Sequence, residues 1–318
     1  MPGTSQNFVL TNQSLMALNS RLTLFSPRFW PTWFGLGLLW AVARLVPYPF
    51  ALRLGRGIGR IGYRLASRRR HIAEVNISLC YPELSDSEQR TIVKQHFEAV
   101  GISFLMTGFS WWGDDEKLKP LIHSSGFELL ESQLKKGRGV LLVGMHFVDL
   151  DLTGRRLGEH FPLSFIYRQH ENPVIELAFK RNREKRSSQA ISRGDLRSVL
   201  RALKKNRIVW LAPDQAKRGK HSVLAPFFGI PASTSTIISR IARISGAPVM
   251  LGYGYRLPGD QGYMLEIQPP LEAFPGDSVE SDTNRINLSI EEATRRAPAQ
   301  YLWTHRRFKK RKVLPDPY

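Results

Sequence analysis

The stretch that most constrains the fold is Val140-Leu141-Leu142-Val143, followed by Gly144, His146, Asp149 and Asp151. Four apolar residues with no polar alternation suit a strand buried on both faces of a parallel sheet. In such sheets functional groups gather beyond the C-terminal strand ends, where His146 falls. Leu150, Leu152 and Leu157 then begin a helical spacing. On one continuous helix His146 and Asp151 would point roughly 140° apart, so they meet only if His146 stays in the strand-to-helix turn.

A neutral imidazole can take a proton from an alcohol, and a neighbouring carboxylate fixes its tautomer and stabilises the imidazolium. No Ser or Cys nucleophile is then needed. The bare spacing His-x4-acid is weak evidence, because eight histidines and 27 acids in 318 residues give roughly 0.7 chance matches. His123 and Glu128 also match, but within HSSGFELLESQLKKG, which reads as a polar helix start with no buried strand before it. Asp149 is a rival partner for His146.

The remaining pattern is α/β: a mostly parallel sheet flanked by helices behind a helical N-terminal region. Strands are expected at Val140–Val143, Leu163–Tyr167, Arg207–Leu211, Val249–Tyr255 and Tyr263–Ile267. Helices are expected at Asp151–Leu157, Pro173–Lys185, Asp195–Lys204, Ser233–Ile244 and Ser278–Arg296. Ser85 and Glu88 form a capping signature for a further helix through Ile92, Val93, Phe97 and Val100.

Toward the N-terminus, Phe29 to Ala43 carries no charge, and Leu45 to Leu52 continues uncharged after Arg44. This length is marginal for a span of ~20 residues, and Pro31, Pro47 and Pro49 interrupt it. Trp30, Trp33, Trp40 and Tyr48 resemble interface aromatics. Behind it Leu54, Ile58, Ile61 and Leu65 share one helical face, while Arg53, Arg56, Arg60 and Arg64 share another. That is a basic amphipathic helix suited to anionic lipid, weakened by Gly55, Gly57, Gly59 and Gly62. By the positive-inside rule Arg68, Arg69 and Arg70 would keep the body of the protein cytoplasmic, behind a single N-terminal anchor. The chain thus divides into a 1–28 arm, a 29–52 membrane anchor, a 53–120 basic amphipathic and helical region, and a 121–318 catalytic domain. No cleavable signal peptide is evident in Met1 to Asn19.

A balance of 46 basic to 27 acidic residues, net +19, points to a polyanionic partner: nucleic acid, anionic membrane or a phosphorylated substrate. A single cysteine, Cys80, excludes intramolecular disulfides and a cysteine metal cluster, and it reads as a small buried apolar residue. No nucleic-acid motif and no second His/Cys cluster for a metal-dependent hydrolase is present. Polar groups stand at strand and helix ends, at Arg168, Arg183 and Asp214-Gln215; arginine and the helix start at Ser233-Thr234-Ser235 are suited to hold a phosphate.

Together the segments PRFWPTWFGLGLLW (27–40), LVGMHFVDLD (142–151), YRQHENP (167–173), WLAPDQ (210–215), APFFGIPASTST (225–236) and LWTHRRFKKR (302–311) resemble the late acyltransferases of lipid A biosynthesis, lauroyltransferase type, within the wider glycerolipid acyltransferase group. The resemblance implies His146 as general base with Asp151 as its partner, and functional positions at Arg183 and Asp214, with Arg168 in a matching segment. It implies acyl-acyl carrier protein as donor, a phosphorylated glycolipid hydroxyl as acceptor, and no metal or nucleotide cofactor. Asp151 stands where relatives carry Glu, and Gln215 where a relative has His. A lysophospholipid or glycerol-phosphate acceptor is the alternative within acyl transfer, and a non-enzymatic binder of anionic membrane or nucleic acid is the alternative outside it.

Overall fold

The computed structural model describes residues 24–185, 189–217, 219–309 and 315–318. The 1–23 portion of the N-terminal arm and Lys310 and Arg311 of the terminal segment lie outside them.

Four helices come first: α1 (Trp30–Leu45), α2 (Tyr48–Leu65), α3 (Ser67–Cys80) and α4 (Asp86–Trp112). Ser85 caps α4 as its sequence requires, with the Ser85 N–H donating to Glu88 Oε2 at 2.8 Å and the Glu88 N–H returning to Ser85 Oγ. Helix α2 turns toward the body the face that carries its glycines. A Cβ on Gly59 would lie 2.2 Å from the Phe97 carbonyl oxygen, and one on Gly101 of α4 would lie 2.2 Å from that of Gly55. The glycines that weaken α2 as a helix therefore let its backbone touch α4. Leu54, Ile58, Ile61 and Leu65 consequently face outward, and Leu65 is 78% exposed.

The seven-stranded sheet comprises β1 (Ile122–Ser125), β2 (Val140–Val143), β3 (Leu163–Tyr167), β4 (Gln189–Ser192), β5 (Ile208–Leu211) and, beyond the hairpin β6 (Ser222–Phe227)–β7 (Ile230–Ser235), β8 (Val249–Arg256) and β9 (Tyr263–Ile267). Its order is β1-β9-β8-β2-β5-β3-β4, and only the β8–β9 pairing is antiparallel. The interleaved helices are α5 (Phe127–Leu134), α6 (Leu150–His160), α7 (Pro173–Glu184), α8 (Leu196–Lys204), α9 (Ile237–Ser245) and α10 (Val279–Arg296).

Strand β2 is buried at all four positions. Leu141 and Val143 pack with α8, α9 and α10 on one face, while Val140 and Leu142 pack with Leu130 of α5 and Leu157 of α6 on the other. Helices on both faces remove any reason for polar alternation, so a continuous apolar run is what this strand requires.

Two expectations are corrected and one strand is added. The segment expected to be helical from Ser233 is strand through Ser235, because it pairs with β6, and the helix starts only at Ile237. The polar stretch containing His123 holds an edge strand, β1, paired in parallel with β9. Residues 189–192, unassigned from sequence, close the opposite edge as β4. No helix among the described residues is long and apolar enough to cross a membrane. The uncharged N-terminal segment is instead broken at Val46 and Pro47, and α1 spans 16 residues, about 24 Å at 1.5 Å per residue.

Candidate active site

Strand β2 ends at Val143, and Gly144 lets the chain turn beneath the Trp210 indole, to which a Cβ would come within 2.1 Å. His146 therefore sits in the turn before α6, beside the end of the neighbouring strand β5. That strand delivers Asp214, 1% exposed, and the carboxylate takes both donors of His146. The ring Nδ1 lies 2.6 Å from Oδ1, and the backbone N–H donates to Oδ2 at 2.9 Å.

Burial works to lower the His146 pKa, but the charge and hydrogen bond of Asp214 outweigh it and leave the imidazole pKa raised. Burial likewise opposes the charge on Asp214, while His146 and then Arg307 hold that carboxyl below its usual range. With Nδ1–H committed to the carboxylate, Nε2 is left to accept a proton.

The expected pairing of His146 with Asp151 is therefore corrected: the carboxylate bonded to His146 is Asp214. Asp151 lies in the first turn of α6 and accepts from Arg183 of α7, with Nε at 2.8 Å and a second, closer contact from Nη2. The Arg183 guanidinium also stacks 4.1 Å from the Phe179 ring centroid and 4.8 Å from that of Phe165. Helix α6 thus turns Asp151 toward α7, whereas the turn before it presents His146 to β5. Arg168 stands at the end of β3, mostly exposed, with Glu171 at 3.0 Å. Asp149 is buried without contacting His146, and burial lifts its carboxyl to about 7 against the pull of the Arg256 guanidinium and the Ser103 hydroxyl. His123 lies exposed on edge strand β1.

Below α6 an apolar cavity runs against the sheet, lined by Leu142, Leu157, Leu163, Phe165, Trp210 and Leu265, with Asp151 and Arg183 at one end. Gly254 of β8 keeps α6 close to the sheet at this level, since a Cβ there would lie 2.3 Å from Thr153 Cγ2.

The C-terminal segment completes the site. Val148 N–H donates to the Gln300 carbonyl and Leu302 N–H to the His146 carbonyl, each at 2.9 Å, so residues 300–302 clamp the histidine turn. Burial and then the charge of Asp214 push up the pKa of the Tyr301 hydroxyl. His305 accepts from Ala216 N–H at 3.4 Å, and burial, aided by Lys309, lowers its pKa to about 4. Arg307, 1% exposed, supplies buried positive charge and donates to Thr234 Oγ1 at 2.8 Å and to the Ser233 carbonyl at 3.2 Å. No spacing motif marks these residues; His305 and Arg307 fall within the LWTHRRFKKR segment of the family resemblance, and Tyr301 lies just outside it. Among the described residues no group of three His, Cys, Asp or Glu side chains is arranged to hold a metal ion.

An α/β sheet carrying a histidine–carboxylate pair beyond its strand ends, in a molecule with an apolar cavity lined in part by Asp151 and Arg183, suits an enzyme that moves a proton. The family follows from comparison: residues 19–310 match the bacterial lipid A biosynthesis acyltransferase model, and the chain belongs to that family of O-acyltransferases. It is 38% identical over 297 residues to the lipid A biosynthesis lauroyltransferase of Escherichia coli K12, covering 93% of this chain and 97% of that protein. It is also 38% identical over 288 residues to the lipid A biosynthesis palmitoleoyltransferase of the same strain, covering 90% and 94%. The crystal structure of a 1-acyl-sn-glycerophosphate acyltransferase from Thermotoga maritima superposes with a TM-score of 0.37 and 16% identity, over 77% of this chain and 99% of that one.

Proposed function

We propose that the protein transfers a fatty acyl chain from acyl-acyl carrier protein to a hydroxyl of a phosphorylated lipid A precursor, with His146 as general base. The observation that carries this reading is the half-buried His146 held by buried Asp214, within a chain of this family. In the reaction His146 Nε2 takes the acceptor hydroxyl proton as that oxygen attacks the thioester carbonyl, and Asp214 balances the imidazolium. The tetrahedral intermediate then collapses, the C–S bond breaks, and the departing thiolate takes the proton from His146. The thioester is already activated, so no nucleotide or metal enters the scheme. Asp151 and Arg183 order the edge of the site, and the apolar cavity beside them takes the acyl chain. Similarity to lauroyl- and palmitoleoyltransferases at equal identity leaves the chain length open.

The acceptor is a membrane lipid, and the N-terminal helices suit an enzyme that works at its surface. Most of the large apolar side chains standing exposed fall between Phe25 and Leu65, among them Phe34 at 76% and Leu45 at 76%. Arg53, Arg60 and Arg64 stand exposed along α2. Such helices lie in the interface of an anionic bilayer, on our reading the cytoplasmic face of the inner membrane. Thr32 of α1 accepts from Asn172 Nδ2, the cap of α7, at 2.9 Å, which ties this surface to the helix carrying Arg183. The decisive test is mass spectrometry of lipid A from a deletion strain complemented with wild type or His146→Ala. Loss of one secondary acyl chain, restored by wild type alone, is expected; unchanged lipid A in the deletion strain would reject the reading.

A further inference from the structure

Arg168 and Arg183, the arginines the sequence offers for a substrate phosphate, are engaged with Glu171 and Asp151. Beyond the ends of β4 and β5 and at the start of α9 stand further cations with no such engagement. Arg193 leaves the end of β4, its N–H donating to the Tyr167 carbonyl at 2.8 Å. Lys217 lies three residues beyond Asp214, and its backbone is stitched to β7: its N–H donates to the Ser233 carbonyl at 3.3 Å, and the Ser233 hydroxyl donates to the Lys217 carbonyl. Arg240 stands in the first turn of α9, which follows β7 directly. Among the described residues none of the three forms an ion pair with a carboxylate.

Helix α9 begins here with no side-chain cap on its first N–H groups and no acid in its first turn, so it presents orphan donors and a positive dipole end. Ser235 adds an independent sign of a missing partner. It is 8% exposed, and its hydroxyl is buried without a hydrogen bond. Two residues along a strand share a face, so Ser235 Oγ points to the side on which Ser233 meets Lys217. A buried hydroxyl without a partner is costly, and an acceptor in the site would recover that cost.

We propose that Lys217, Arg240 and Arg193, with the first turn of α9 and the Ser235 hydroxyl, bind a phosphate ester of a substrate. The inference rests on the acyl-transfer reading above and deepens it by placing the substrate phosphate. Electrostatics agree with this arrangement. Burial and then the charges of Arg193 and Arg240 lower the Lys217 pKa, and the charge of Arg193 also works to lower that of His146. Like charges held together without counter-charge favour a multivalent anion, and tetrahedral phosphate accepts from cations and helix N–H groups at once. Two substrates carry such an ester: the glycolipid acceptor, and the pantetheine arm of the carrier protein.

The test is steady-state kinetics of the full chain in mixed micelles, with Lys217→Gln, Arg240→Gln, the double variant, and Lys135→Gln as a remote control. KM is measured for the bisphosphorylated acceptor, for the same acceptor after phosphatase treatment, and for acyl-acyl carrier protein. The expected result is a KM for the phosphorylated acceptor raised about tenfold or more in the double variant. Its kcat should stay within about twofold, and its preference over the treated acceptor should be lost. A rise confined to the carrier-protein KM would place the donor's phosphodiester in the same site. Unchanged KM values for both substrates, or a fall in kcat alone, would overturn the proposal. Wild type that transfers nothing would reject the acyl-transfer reading instead. The anion site is then read separately, as a rise in wild-type Tm with inorganic pyrophosphate that the double variant lacks; an equal rise in both would overturn it.

Discussion

At the scale of single residues, the decisive feature is that His146 and Asp214 hold each other through two hydrogen bonds. General-base catalysis contributes ~10²–10⁴-fold, so His146→Ala should lose at least the lower figure in acyl transfer while melting normally. His123→Ala, on an exposed edge strand, should be silent in the same assay. The pH profile separates the two acids near the histidine. The base must be neutral, and Asp214 raises its pKa, so kcat/KM should fall on acidification through a pKa above the ordinary histidine value. Asp214→Asn should move that limb to lower pH and cut the rate. Asp151→Asn should leave the limb in place and act through Arg183; a limb that follows Asp151 instead would restore the pairing the spacing suggests. Asp149 makes a separate prediction about stability. Its folded pKa, about 7, exceeds that of an exposed carboxyl. The favourable contribution of the neutral form is thus complete below pH ~4 and lost as pH rises through 7. Relative to wild type, Asp149→Asn should gain stability between pH 6 and 9, and denaturant midpoints measured across that range would show it.

At the scale of elements, the contact of α2 with α4 shows what a glycine pattern can mean. Gly57 has open space around its Cβ position, while Gly59 meets the Phe97 carbonyl. Gly57→Ala should therefore stabilise by up to ~1 kcal/mol through helix propensity. Gly59→Ala should destabilise by about 1–3 kcal/mol or more, because backbone has to shift. Chemical denaturation of both variants checks the pair; equal effects would mean the helices do not meet as described. Sequence periodicity identified α2 and its apolar face correctly but could not say which face packs inward. Chemistry alone would bury Leu54 and Ile58; close backbone approach buries the glycines instead.

At the scale of the whole molecule, the outward apolar residues of α1 and α2 and the arginines on the adjoining face of α2 carry the membrane reading proposed above, and a net charge of +19 suits an anionic bilayer. Replacing Phe34, Leu54 and Ile61 together with Gln should move the protein from the membrane fraction toward the soluble one and weaken binding to anionic vesicles. Unchanged sedimentation after the triple substitution would exclude this face as the docking surface. Since α1 contacts α7, activity on a micellar acceptor should survive better than activity on vesicles.

Properties carried by neighbours in the chain were legible in the sequence. The apolar run gave β2 its exact bounds, Val140–Val143, because a strand covered by helices on both faces needs no polar residue. Ser85 and Glu88 placed the start of α4, because a capping box is a contact between residues three apart. His146 was recognisable from its place after a buried strand. Its partner was not, because Asp214 lies 68 residues away and is delivered only when β5 inserts beside β2. Tyr301 and Arg307 reach the site by the return of the C-terminal segment, and Ser233–Ser235 becomes strand because β6 offers a hydrogen-bonding edge. Spacing along the chain fixes which side chains share a face; the order of strands in the sheet decides which of them meet.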